Sequence, residues 1–357
     1  MTSPQYLIYV GGYAAAHEPG IRAFHCNATG ELTVAWSFAG ITNPSFLAVH
    51  PNGKWLYAVS EMSQQENGRA GEVWALSLPA PASAPQALNH QESGGDLPCH
   101  LLIDATGRWL LVSNYGSGSV AVLPIQENGA LGAMTQHIQH HGSGPRRDRQ
   151  AGPHAHSTIL TPDNRFAIVA DLGIDQLVIY AFDAAGGKLN PHGHVATRPG
   201  AGPRHMAFHP NGRYFYVIHE LDSSVVVYDY HAEGCELTER QRVETRVPGA
   251  TAAENLAAEL AFAPGGEQFY VSNRGDNNLV VFAVAADGQL ERLSSQTCGG
   301  SWPRNFAVAP DGQFLLVANQ YSNDVTTLPA LDGGKRLDQP RSKVALPGAA
   351  YVQFVAS

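Results

Sequence analysis

The sequence predicts an all-β fold, a seven-bladed β-propeller of four-stranded antiparallel blades, with one blade closed by strands from both chain ends. Three observations lead there. A strand–turn–strand unit recurs six times at intervals of about 50 residues, and fixed-period self-similarity is the mark of repeat architectures. Short alternating or β-branched runs, separated by turn residues at hairpin spacing, fill the intervals, and no long 3.6-residue period competes. The two ends supply the strands that a seventh unit needs.

The repeated unit is an apolar strand, a Pro-Asn-Gly-like turn and an aromatic-rich strand. Its copies are PSFLAVHPNGKWLYAVSE (44–61), PCHLLIDATGRWLLVSNY (98–115), AHSTILTPDNRFAIVADL (155–172), PRHMAFHPNGRYFYVIHE (203–220), AAELAFAPGGEQFYVSNR (257–274) and PRNFAVAPDGQFLLVANQ (303–320). They align without a gap. A third strand follows in each unit, as in Ser119–Val122, Leu177–Tyr180 and Ser224–Tyr228. A Gly-X-Leu turn often comes next (Gly129-Ala130-Leu131, Gly187-Lys188-Leu189, Gly288-Gln289-Leu290), and a fourth strand leads into the next unit. Four antiparallel strands per unit is the pattern of a propeller blade. At the ends, YLIYVGGY (6–13) matches the second strand, GIRAFHC (20–26) the third and PGAAYVQFV (347–355) the first. Together they make the seventh blade and remove the exposed edges of an open array. With no Gly/Ser-rich linker and no shift in composition, residues 1–357 read as a single domain.

Composition narrows the function. The 22 Lys+Arg against 31 Asp+Glu give a net charge of −9, and only 15% of the 357 residues are charged. With 44% hydrophobic residues the chain is not disordered. No basic helix or basic balance favours nucleic acid. No run approaches the roughly 18 apolar residues of a membrane span, and the N-terminal stretch lacks a basic leader and a cleavage site. Cys26, Cys99, Cys235 and Cys298 form neither a CxxC pair nor a disulfide framework. These readings lead to an expected cytoplasmic protein, with no nucleic-acid or membrane partner.

Blade geometry nominates a site. The start of the first strand and the end of the second lie at the same end of an antiparallel blade, so these positions are expected to converge on one mouth. At strand starts one column reads Ser45, Cys99, His156, Arg204, Ala258, Arg304, and the next Phe46, His100, Ser157, His205, Glu259, Asn305. At the ends of the second strands the columns read Ser60, Asn114, Asp171, His219, Asn273, Asn319 and then Glu61, Tyr115, Leu172, Glu220, Arg274, Gln320. Polar and charged groups dominate all four, while the strand interiors are apolar. Asn114, Asn273 and Asn319 equally suit hydrogen bonds to neighbouring loops, and Asp171 a tie between blades. The set His156, Arg204, Glu220 and Arg274 points instead to chemistry. A Glu or His serves as general base towards water. Arginine keeps its proton, binds carboxylate or phosphate and stabilises a developing oxyanion. Such a set fits attack on, or closure of, an ester-like bond in an anionic molecule.

GSGPRRDRQAG (142–152) adds Arg146, Arg147 and Arg149 in the loop entering the third full unit. No GxSxG elbow, P-loop or GxGxxG unit is present. His154 and His156 lack an obvious third metal ligand, so no metal and no cofactor are expected.

At these residues the sequence resembles the seven-bladed propeller lactonase family, that of the bacterial propeller-type 6-phosphogluconolactonases and the fungal carboxymuconate cyclases. The resemblance runs from YVGGY (9–13) to YVQFV (351–355) and is most specific in RQAGPHAHS (149–157), GAGPRHMAFHPNGRYFYVIHELDSSVVVY (200–228) and FYVSNRGDNNLVVF (269–282). It implies a catalytic His from PHxH, Arg from GPRH, Glu from the NEL-type segment and Arg from SNRG: here His156, Arg204, Glu220 and Arg274. The departure is His219, where the family more often has Asn before the Glu. The resemblance implies a lactone hydrolase acting on 6-phospho-D-glucono-1,5-lactone, in which Glu220 or His156 activates water while Arg204 and Arg274 hold the anion and the oxyanion. His154, His205, Arg149, Asn273, Arg304 and Asn319 are the expected substrate-binding residues. Arg204→Ala and Arg274→Ala are expected to lower turnover without unfolding. A carboxymuconate cyclase or other sugar-acid lactonase is the first alternative and a non-catalytic interaction scaffold the second, the latter calling for an apolar rim where the columns are polar.

Overall fold

A computed structural model describes residues 6–79 and 83–355. The chain divides into two compact units. One comprises the described parts of Met1–Tyr13, Ile21–Ser37 and Ala207–Ser357, and the other comprises Ala14–Gly20 and Phe38–Met206. The only helix among the described residues is the four-residue Gln64–Asn67. Everything else regular is strand, ordered into seven antiparallel sheets.

Three sheets lie in the Phe38–Met206 unit, each running in chain order from first strand to fourth: Leu47–Val49 to Gln86–Glu92, Pro98–Ile103 to Gln136–Gln139, and Ala155–Leu160 to Lys188–Ala196. Pro203–Phe208, Tyr214–His219, Ser224–His231 and Glu236–Glu244 follow in a fourth, and Leu256–Phe262 to Leu290–Thr297 form a fifth. The sixth begins Pro303–Val308, Phe314–Asn319, Asp324–Leu331, and its outer edge is split into Arg336–Leu337 and Ser342–Ala345. Pro340 falls in the gap between those two, where a residue without an N–H cannot continue a ladder. The seventh sheet is the predicted composite. Ala349–Val355 pairs antiparallel with Tyr6–Gly12, which pairs with Ile21–Cys26, and Leu32–Phe38 is the outer strand.

The sheets bury their alternating faces against one another. Tyr57, Val59 and Val73 pack with Leu101, Leu110 and Val112 of the next sheet, and Tyr216, Ile218 and Val225 pack with Phe269, Val271 and Val280. Two of the Gly-X-Leu turns have a specific task in this packing. Tyr57 donates its hydroxyl to the Gly129 carbonyl at 2.9 Å and Tyr216 does so to Gly288 at 2.5 Å; Tyr270 donates likewise to Gly334, in the longer turn Gly334-Lys335-Arg336-Leu337, at 2.9 Å. Gly288 has φ +82, and a Cβ there would stand 2.5 Å from the Tyr214 ring. The turn therefore needs glycine for its backbone and for its closeness to the aromatic that opens the preceding sheet's second strand. Its leucine is then buried, as Leu131 and Leu290 are.

Candidate active site

The strand-start column coincides with a recurring break in register. The first and second strands lose alignment between Pro98 and His100, between Ala155 and Ser157, and between Pro303 and Asn305. Cys99, His156 and Arg304 are thus the extra residues of β-bulges, which re-aim a side chain out of the alternating pleat. Periodicity alone assigns these residues to a strand; the bulge makes them a set apart.

In the Phe38–Met206 unit, His156 is 4% exposed and Arg204 2% exposed. Both are fixed through their own main chain. The Cys99 thiol lies 3.2 Å from the His156 carbonyl, and the Ser157 hydroxyl donates to the Arg204 carbonyl at 2.6 Å. The His156 ring meets His205 edge to face at 5.1 Å and Tyr115 at 5.6 Å, and His205 meets His100 at 5.6 Å. Desolvation, then the charges of His205 and Arg204, hold the His100 imidazole well below its ordinary pKa. His154 stacks on Tyr115 with ring centroids 4.4 Å apart, and its Nδ1 lies 2.8 Å from the Tyr115 carbonyl. Arg149 reaches the Tyr115 hydroxyl at 3.4 Å. This unit therefore gathers His156, Arg204, His205, His154 and Arg149, with Tyr115 and His100 among them. Their pooled capacity is proton transfer at imidazole beside fixed positive charge.

The other unit builds differently. Glu220 follows the strand Tyr214–His219, and Arg274 ends Gln268–Arg274. They form an ion pair at 2.6 Å with side chains 3% and 5% exposed. Arg274 also donates from Nε to the Leu256 carbonyl at 3.2 Å and from a terminal nitrogen to that of Ala257 at 3.3 Å. Its guanidinium lies over the Trp302 ring at 5.5 Å, and Trp302 stacks on Tyr321 at 4.6 Å. Arg304 lies over the Tyr13 ring at 5.5 Å. A guanidinium anchored on two carbonyls, one carboxylate and one aromatic face is a fixed cation.

The comparisons with known proteins bear on what such groups do. The family model of the seven-bladed β-propeller lactonases matches residues 7–354. The 6-phosphogluconolactonase of Bacillus subtilis is 32% identical over 353 residues, 98% of this chain and 99% of that protein. That of Formosa agariphila is 31% identical, covering 95% of this chain and 96% of its own length. The solved structure of the periplasmic gluconolactonase of Pseudomonas aeruginosa superposes with a TM-score of 0.92 at 29% identity, covering 98% of this chain and 99% of its own. The chain belongs to the seven-bladed β-propeller lactonase family. Its fold class is that of the family, its seven sheets are the seven blades, and its activity class is lactone hydrolysis on a small lactone.

Two residues expected to bind the lactone also bond to the framework. Asn273 is fully buried. Its Oδ1 accepts from Thr245 at 2.7 Å and Asn255 at 3.0 Å, while its Nδ2 donates to the Thr245 carbonyl at 3.1 Å and Asn278 at 3.0 Å. Asn319 is equally buried; its Nδ2 donates to Asp324 at 2.9 Å and Thr326 at 3.0 Å, while its Oδ1 has no hydrogen-bond partner among the described residues. The two asparagines share one column, where a strand end meets a turn, and there the side chain replaces missing backbone partners.

His219, the departure from the family pattern, is fully buried, and neither ring nitrogen forms a well-made hydrogen bond. Burial, and secondarily Arg242, holds its pKa down at about 3, so the ring stays neutral. Sequence reasoning passed over Tyr115, Gln150, Asp175 and Trp302. Tyr115 and Trp302 carried a signal, an aromatic beside a charged strand end. Gln150 and Asp175 sit in loops, where residue type alone marks nothing. Among the described residues no group of three or more His, Cys, Asp and Glu is placed to hold a metal ion, and no helix is long and apolar enough to cross a membrane.

Proposed function

We propose that this lactonase hydrolyses 6-phospho-D-glucono-1,5-lactone, with His156, Arg204, Glu220 and Arg274 as its working residues in one domain. The buried Glu220–Arg274 ion pair carries the assignment of roles. A carboxylate already engaged by a guanidinium at 2.6 Å is a weak proton acceptor. Glu220 therefore orients Arg274, and His156 is the general base that takes a proton from the attacking water. Arg204 and Arg274, permanently charged, offset the oxyanion that forms when water adds to the lactone carbonyl. Collapse of the tetrahedral intermediate breaks the ring C–O bond, and the imidazolium returns its proton to the leaving alkoxide. His154, His205, Arg149 and Arg304 supply the surrounding binding groups.

The phosphorylated substrate follows from the names of the Bacillus and Formosa relatives and from the chemistry of three arginines in 142–152. The Pseudomonas relative, a gluconolactonase, favours a second reading in which the phosphate is dispensable. A cytoplasmic location is part of the proposal. Cys26, Cys99, Cys235 and Cys298 are all free and buried, as suits a reducing compartment.

The test is acid release from phosphorylated and unphosphorylated gluconolactone at matched concentrations. A clear preference for the phosphate supports the proposal. Equal rates favour the sugar-acid lactonase, and consumption of neither ends the assignment.

A further inference from the structure

Within the Phe38–Met206 unit one five-residue turn, Asp171 to Asp175, holds three segments that carry proposed site residues. Asp171 accepts the His154 amide on Oδ1 at 2.7 Å and the Gly173 amide at 3.0 Å. Its Oδ2 lies 2.6 Å from Nδ1 of the buried His140, whose Nε2 lies 2.9 Å from the Tyr180 hydroxyl. This end of the turn fixes the approach to His156. Gly173 lies so close that a Cβ would stand 2.0 Å from the Gly152 carbonyl.

The other end does more. Asp175 is 6% exposed and has φ +53. Its Oδ2 accepts the Gly200 amide at 2.7 Å, and its Oδ1 accepts the Gly202 amide at 2.8 Å. These amides belong to the segment that runs into Arg204. The same Oδ1 accepts from Nε2 of Gln150 at 2.8 Å. Gln150 is fully buried, and its Nε2 also donates to the Leu172 carbonyl at 2.8 Å. Its Oε1 accepts the Arg146 amide at 3.1 Å, and its own carbonyl accepts the Gly144 amide at 3.0 Å. The basic loop 144–150 is thereby closed on Gln150, and Gln150 is bolted to Asp175. Arg149 of that loop touches Tyr115, whose ring meets His156.

A buried carboxylate and a buried amide with this many satisfied partners form a network whose partial loss is costly. It fixes the basic loop and Arg204 on a common carboxylate. Cations held in place before a ligand arrives need not be ordered by it, which improves binding without adding contacts. We propose that Asp175 and Gln150 are positioning residues for substrate specificity: they lock the 144–150 loop, which takes the phosphate through Arg149, to the segment that aims Arg204 at the lactone. The proposal rests on the lactonase reading above and adds to it the reason for phosphate preference.

Two variants test it. Asp175→Asn keeps the size and tolerates positive φ, but its amide NH2 must face one of three N–H donors. Gln150→Leu removes the bolt with an apolar side chain of similar volume. In each, KM for the phosphorylated lactone should rise about tenfold, and KM for unphosphorylated gluconolactone should change far less. Amide hydrogen exchange should quicken together in segments 144–150 and 198–204. A role in stability alone would instead lower kcat for both lactones alike through a smaller folded fraction. Equal losses on the two lactones overturn the proposal, as does faster exchange confined to one segment. If the unsubstituted protein consumes neither lactone, the substrate reading fails. Exchange, together with calorimetric titration of 6-phosphogluconate into both variants, then decides the lock by itself.

Discussion

His156 and Arg204 in one unit, and Glu220 and Arg274 in the other, are all nearly inaccessible, and the contacts that reach them differ in kind. The first two are gripped through main-chain atoms by Cys99 and Ser157. The second two grip each other through their functional ends. Cutting back either of the first two leaves those main-chain anchors in place. Cutting back Arg274 removes a charge partner of the buried Glu220, and breaking a buried ion pair is costly.

The largest effect should therefore come from Arg274→Ala. It removes the guanidinium paired with the buried Glu220 and should cost about 3–5 kcal/mol of stability in urea unfolding, together with lactone turnover. Its unfolding midpoint decides between this outcome and the sequence-based expectation that the substitution would spare the fold. Arg204→Ala comes next. Turnover should fall about a hundredfold or more. An unfolding midpoint of Arg274→Ala equal to that of the unsubstituted protein would erase the share of stability assigned to its ion pair.

His219 sharpens the comparison through pH. Burial holds its pKa at about 3 when folded, against an ordinary 6.5. Between those values the unfolded chain binds a proton that the folded chain does not. Stability is thus intact above about 6.5, declines as pH falls and reaches its full loss below about 3. His219→Asn should abolish that share, about 2 kcal/mol at pH 5, seen as a flatter dependence of unfolding free energy between pH 7 and pH 5. An unchanged slope would mean that the ring is charged in the folded chain. The smallest effect belongs to Cys99→Ala. Loss of a weak thiol donor to the His156 carbonyl should slow turnover by about two- to threefold, with Cys99→Ser restoring it.

The blades were legible because repetition amplifies weak strand signals: six gapless copies fix register better than any single run of valines. The composite blade followed from the same alignment. The strand-end columns also found the polar residues, but residue type could not separate Asn273, saturated by Thr245, Asn255 and Asn278, from a ligand-facing group. Nor could it see the bulges at Cys99, His156 and Arg304, since a bulged residue still fills its column in a gapless alignment. Gln150 and Asp175 escaped for another reason. Their meaning lies in bonds to Arg146, Gly200 and Gly202, contacts between loops that no period encodes.

The antiparallel seam between Leu7–Gly12 and Ala349–Val355 imposes an order on biosynthesis. A ribosome releases the innermost strand of the composite blade last, after every other blade has been made. Until then its N-terminal partner must wait with one ladder edge open, a template for strands of other chains. Contacts this distant in sequence also form slowly. Aggregation during expression should accordingly track chains stalled short of Ala349, and a short competing peptide copying 349–355 should intercept the waiting edge.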